Sequence, residues 1–277
     1  MGLAALGLLQ QPQGGPAAAG PGAALRGLPG RELGADLGAA VTAGAAVAPL
    51  LACVDVAVTE NAARPGVLWG SFFRQLGEVA ARPRAFFGGP AFRWLWFVYG
   101  GTYFVANAAE TAAQHLRRDA KAGKLAATSA FNSSASLAKD SAFAALYGRA
   151  LAPVPLASYA TWLSRDVMSM GVFFTLPPIV GREVAKVTGS EKSGYYAAQF
   201  CLPLAFQAVV TPVHLLGLDF HNNRGSSWAQ RGALIAREYK NSTLIRMLRM
   251  CAPYSLGTIG NRELRGAYGR LLGAAAP

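Results

Sequence analysis

The stretch AFQAVVTPVHLLGLDFHN, residues 205–222, closes a run without Lys, Arg, Asp or Glu that extends from Gly194 to Leu218. A helix needs roughly 20 mostly apolar residues to cross a bilayer, and this run supplies them. Thr211-Pro212 and His214 interrupt it, and Asp219 and His221 follow. Three readings compete: a metal or catalytic site, a kinked core helix, or the relic of a transport motif. His214 and His221 fall two turns apart on one helix face, but Asp219 falls off that face and His115 lies far along the chain. With no further ligand near, no metal site is expected. A helix bent at a proline remains.

Composition extends this reading to the whole chain. Of 277 residues, 52% are apolar and only 14% charged, against roughly 25% charged in an ordinary soluble domain. Gly and Ala are abundant, which suits close helix packing in a membrane, and the β-branched enrichment of a sheet is missing. The expected class is an all-α membrane protein. Lys and Arg number 26 against 14 Asp and Glu, a net charge of +12. Many of these cations sit between the apolar runs, as at Arg82, Arg84, Arg117, Arg118, Lys121, Lys124, Arg182, Lys186, Lys192 and Arg224. Dispersed basic connectors suit lipid headgroups and a bound anionic lipid such as cardiolipin; nucleic acid is not an expected partner. Cys53, Cys201 and Cys251 lie singly in apolar segments, without the spacing of a disulfide framework or zinc site. No nucleophile–base constellation and no phosphate-binding glycine spacing occurs, so neither an enzyme nor a cofactor is expected.

Six apolar segments can be marked: 33–60, 90–114, 124–147, 155–187, 193–222 and 243–272. The third carries Lys139-Asp140, the fourth Arg165-Asp166 and a break at Pro177-Pro178, and the sixth Arg246, Arg249, Arg262 and Glu263. Between the first two, Val67, Leu68, Phe72, Leu76 and Val79 recur at helical spacing, with Arg74 and Glu78 four apart. This predicts a short amphipathic helix along the membrane surface. SSWAQRGALIAREYKNST, before the sixth segment, predicts a second; YGRALAPVP is too short for a third. The pattern is long helix, surface helix, long helix, given twice in full and once truncated. The expected domains are a flexible tail over 1–32, a transmembrane domain over 33–272 and a short tail over 273–277. The repeats run about 33–120, 121–190 and 191–272.

Several stretches carry a resemblance. AAVTAGAAVAPLLACV is similar to a small-residue helix ending in a Pro-x-acidic-x-x-basic signature, with Pro49 at the proline. FQAVVTPVHLLG places Pro212 at the same point of the third repeat. RMLRMCAPYSLGTIGNREL spaces Pro253 and Glu263 like an even-numbered helix, and WLSRDVMSMGVFF places an Arg-Asp pair mid-helix. In these features the chain resembles the mitochondrial carrier family. That resemblance implies six transmembrane helices in three tandem two-helix repeats with short surface helices, in the mitochondrial inner membrane, multi-pass. It also implies exchange of a small anionic or zwitterionic metabolite by alternating access. In that family the signature charges form a ring that closes the cavity. Here the acidic and basic slots hold Leu51 and Val54 after Pro49, and Asp140 and Phe143 after Ala138. After Pro212 they hold His214 and Gly217. Asp140 alone keeps a gate charge, although a protonated His214 could reach it.

Charges inside an apolar segment face a cavity or a partner. Arg165 and Asp166 are therefore candidate substrate contacts, the arginine for a carboxylate and the aspartate for an amine, or else an ion pair fixing helix packing. Arg249, or Arg246 one turn earlier, is the candidate second cation. Lys139 and Asp140 point about 100° apart on a helix and are not expected to pair with each other; Asp140 is expected to pair across helices. Two functions follow. One is metabolite exchange. The other is a non-transporting accessory subunit with a carrier fold, embedded in a respiratory-chain or ATP synthase complex.

Overall fold

The computed structural model describes residues 30–150, 152–252 and 257–273. Of the expected tails over 1–32 and 273–277, residues 1–29 and 274–277 lie outside the described residues, as does Pro253, while 30–32 belong to the first helix and Gly273 caps the last. Nine helices and no strand occupy the described residues: α1 (Gly30–Ala63), α2 (Leu68–Ala81), α3 (Pro83–Gly88), α4 (Pro90–His115), α5 (Ala120–Tyr147), α6 (Leu156–Thr188), α7 (Glu191–Asn222), α8 (Trp228–Ala252) and α9 (Thr258–Leu272). Residues at α1 and Phe200–Asn222 have the length and apolarity of a membrane span by themselves. This all-helical chain is consistent with an all-α membrane protein.

Local chemistry sets the helix ends. Asn61 Oδ1 accepts the backbone N–H groups of Gly66 and Leu68, each at 3.0 Å, and so caps the entry to α2. Pro83 and Pro90 open α3 and α4, where a missing N–H costs nothing. Gly189 takes the left-handed conformation that ends α6, at φ 69°, and Ser190 caps α7 through Ser193 N–H.

Each long helix packs on the next: α1 on α4, α4 on α5, α5 on α6, α6 on α7 and α7 on α8, while α9 returns to α1. α1 is the centre of this order, also touching α2, α5, α7 and α8. Its small side chains make the packing possible. A Cβ on Gly44 would stand 2.7 Å from the backbone of Gly100 in α4, so only glycine permits that approach. The distribution of side chains is inverted relative to a soluble domain. Phe97, Val167, Val209 and Leu244 face outward, while Asp55, Lys139, Asp140, Arg165 and Asp166 are buried. That arrangement fits a bundle with lipid outside and a polar interior.

Three local expectations are corrected. Arg74 pairs with Glu60 at 2.5 Å rather than with Glu78, which faces Arg82 at 3.8 Å, because α2 lies against the end of α1. The second surface helix does not stand apart: α8 runs unbroken from it into the sixth segment. Nothing in Lys240-Asn241-Ser242-Thr243 stops a helix, and α8 is described as far as Ala252. The break at 177–178 is absent, since α6 is helical throughout. Proline's fixed φ is compatible with a helix, and its lost donor is tolerated in membrane helices where neighbours compensate. Among the described residues only the first expected unit has a surface helix of its own, so three equal repeats are not established by this fold.

The proline of the opening stretch shows such compensation. α7 continues through Pro212, whose missing N–H leaves the Ala208 carbonyl without its helical donor. The Tyr239 hydroxyl of α8 donates to that carbonyl at 3.0 Å. One turn earlier, Thr211 Oγ1 donates to Gln207 O at 2.6 Å.

Candidate functional site

The interior holds a continuous chain of alternating charges drawn from four helices. Arg249 of α8 grips Asp55 of α1 at two points, Nε to Oδ1 at 2.5 Å and Nη2 to Oδ2 at 3.0 Å. Lys139 of α5 bridges Asp55 Oδ2 and Asp140 Oδ1, both at 2.6 Å. Arg165 of α6 lies 2.7 Å from Asp140 Oδ2 and 2.8 Å from Asp166 Oδ1. The order is Arg249, Asp55, Lys139, Asp140, Arg165, Asp166: three cations and three carboxylates, all buried. Aromatic faces back two of the cations, with Lys139 5.1 Å from the Phe143 ring centroid and Arg249 6.0 Å from that of Tyr99.

α7 adds neutral polar groups. His214 Nδ1 lies 2.7 Å from Arg165 Nη1. A guanidinium only donates, so this nitrogen is the acceptor and carries no proton. Gln207 Oε1 accepts from Arg246 Nη2 at 3.2 Å. A cleft opens onto this chain and is lined by Asp55, Lys139, Arg165, Asp166, Arg246 and Arg249, among others. The lining leaves it little free space, so any sizeable ligand must displace interior contacts.

A second buried polar cluster lies near the other end of α1. Asp36 accepts from Arg265 Nε at 2.5 Å and from Thr111 Oγ1 at 2.6 Å. Arg265 also approaches Glu110, at 3.3 Å, and Lys124 meets Glu110 at 2.7 Å. Asn107 and Asn261 exchange amide hydrogen bonds beside them. Asp36 and Asp55 are 19 residues apart on one helix, about 28 Å at 1.5 Å per residue. The two clusters therefore tie α1 to different partners at different depths.

Sequence reasoning placed part of this site. Arg165, Asp166, Asp140, His214 and Arg249 all come together here. Of the remaining gate positions, Leu51 and Val54 are buried in the apolar core, Pro49 and Pro212 are half-buried, and Ala138 is exposed. Phe143 lies under Lys139, and Gly217 is pressed against Trp162, its carbonyl accepting from Ser158 Oγ at 2.7 Å. The expectation that Lys139 and Asp140 do not pair is wrong, because a long lysine stem reaches around the helix to its neighbour. His214 meets Arg165 rather than Asp140. Asp219 is occupied by Arg231 and by Asn223, the latter at 2.7 Å.

Asp55 was missed. It adjoins the clean run from Leu37 to Val54, and the signal was a lone acid deep in an apolar helix. Asp36 and Arg265 were missed because they lie at segment ends, where charge is ordinary.

A protein family described as "Probable citrulline exporter" has a model that matches residues 39–268. No curated protein and no solved structure matches. The family match corrects the resemblance drawn above: the family is not that of the mitochondrial carriers. Pro49 and Pro212 lie inside long apolar helices, and proline there is tolerated in membrane helices of unrelated families. The mitochondrial inner-membrane placement rested on that resemblance and loses its ground with it.

Proposed function

The chain belongs to the probable citrulline exporter family, and on that premise we propose that it moves a small zwitterionic amino acid, citrulline or a close analogue, across a membrane through its charged interior. The observation that carries this reading is the buried chain from Arg249 to Asp166 inside a bundle with an apolar exterior. Charges at such depth are costly and mark a polar path. A multi-pass membrane placement fits both the family and the apolar helices.

The chemistry suits alternating access. Ion pairs in a partly dry interior attract strongly, yet each partner was costly to desolvate, so the paired state is not far below competing arrangements. A ligand carrying both a carboxylate and an ammonium perturbs this balance from the cleft that borders Arg165, Asp166 and Arg249, without having to take any cation from its carboxylate. By binding one arrangement better than another it shifts their populations. The Asp36–Arg265 cluster and the Asp55–Arg249 cluster tie α1 at opposite ends, so loosening one while keeping the other exposes the interior to one side at a time.

The test is efflux of labelled citrulline from vesicles containing the purified chain, beside a panel of carboxylates, amines and neutral solutes. Saturable citrulline efflux above protein-free vesicles is expected. No flux of any panel member would remove the transport reading and leave that of a structural membrane subunit.

A further inference from the structure

The charges that line the interior cleft leave one cation without a carboxylate among the described residues. Among the described residues, the chain Arg249–Asp55–Lys139–Asp140–Arg165–Asp166 balances, each cation touching at least one carboxylate and each carboxylate at least one cation. Arg246, one turn before Arg249, lines the same cleft and has no carboxylate partner among the described residues. The residue is 9% exposed. It donates to the neutral amide oxygen of Gln207 at 3.2 Å, and its Nε meets no acceptor among the described residues. At the other end of the balanced chain, Asp166 gives Oδ1 to Arg165, while Oδ2 is buried without a partner among the described residues. A guanidinium with spare donors and a carboxylate with a spare oxygen thus border one cleft.

We propose that Arg246 and Asp166 form an α-amino-acid clamp, in which Arg246 takes the ligand's carboxylate and Asp166 Oδ2 its ammonium. This rests on the transport reading for its meaning and on the geometry for its residues. Gln207 Oε1 occupies the carboxylate's place on the guanidinium, as a neutral acceptor that an ionised one displaces. Arg165, Lys139 and Arg249 are holding residues, because drawing any of them onto a ligand would strip a buried carboxylate of its partner. The clamp recognises the common α-amino and α-carboxyl groups. Selection among side chains falls to the remaining lining, which includes Ser136, Ser169 and Val210.

Binding calorimetry on the full chain in detergent separates this from the transport reading. The probes are citrulline, its decarboxylated analogue ureidobutylamine and its deaminated analogue ureidopentanoate. Wild type is expected to prefer citrulline over either analogue by about ten- to a hundredfold, the worth of one charge-assisted contact. Arg246→Gln is expected to abolish the preference over ureidobutylamine while keeping that over ureidopentanoate, and Asp166→Asn to do the reverse. Arg246→Lys, which keeps the charge, restores part of the first preference. Unchanged preferences in both variants would overturn the clamp, as would equal binding of all three probes by wild type or no citrulline binding at all. Citrulline that binds with this pattern but does not cross vesicles would uphold the clamp and remove the transport reading.

Discussion

Arg249 holds Asp55 by two hydrogen bonds, of 2.5 and 3.0 Å, across the interface of α8 and α1. The two residues are 194 positions apart, so this contact joins the first long helix to the last third of the chain in a buried setting.

Removing either partner leaves the other charge buried. Asp55→Asn, which takes a carboxylate from both Arg249 and Lys139, is expected to cost about 3–5 kcal/mol of stability, and Arg249→Gln, which leaves Asp55 its Lys139 contact, less than that. The double variant should cost less than the sum, with a coupling of about 1–3 kcal/mol. Denaturation of the four proteins in one detergent measures the cycle; strict additivity would mean the pair is not formed.

The Tyr239–Ala208 contact predicts a conditional effect. Tyr239→Phe should destabilise by about 1 kcal/mol, the worth of one hydrogen bond. In a Pro212→Ala background the helix recovers its own donor, and Tyr239→Phe should then be nearly silent. Equal effects in both backgrounds would show that the hydroxyl does not serve the proline's orphaned carbonyl.

Glycines should divide by location. Gly44→Ala drives a methyl to 2.7 Å from the Gly100 backbone, where neither helix can yield cheaply, and should cost about 1–3 kcal/mol. Gly70→Ala in exposed α2 meets nothing within 4 Å and should stabilise by about 0.5–1 kcal/mol. Melting temperatures of the two variants check this directly.

Much of the helical content was legible because apolar runs and their breakers are local properties. Arg165, Asp166, Asp140 and Arg249 were legible as charges that an apolar segment must justify. Their partners were not, since which helix faces which is decided by packing between distant segments. Asp55 carries the same signal, a lone acid within an apolar helix, but it adjoins the charge-free run from Leu37 to Val54 rather than interrupting it. The surface piece before the sixth segment differs from it in polarity but not in helical propensity, since Lys240 to Thr243 contains no residue able to end a helix. The carrier resemblance failed for a related reason: isolated prolines and small-residue helices report bilayer physics more than ancestry.

The most direct test of the central claim is counterflow of labelled citrulline into vesicles preloaded with unlabelled citrulline, comparing wild type with Arg165→Gln protein that is still folded by its melting curve. The charged interior as transport path predicts transient, saturable accumulation by wild type, reduced about tenfold or more in the variant. Accumulation no greater than in protein-free vesicles, or equal in both proteins, would contradict it.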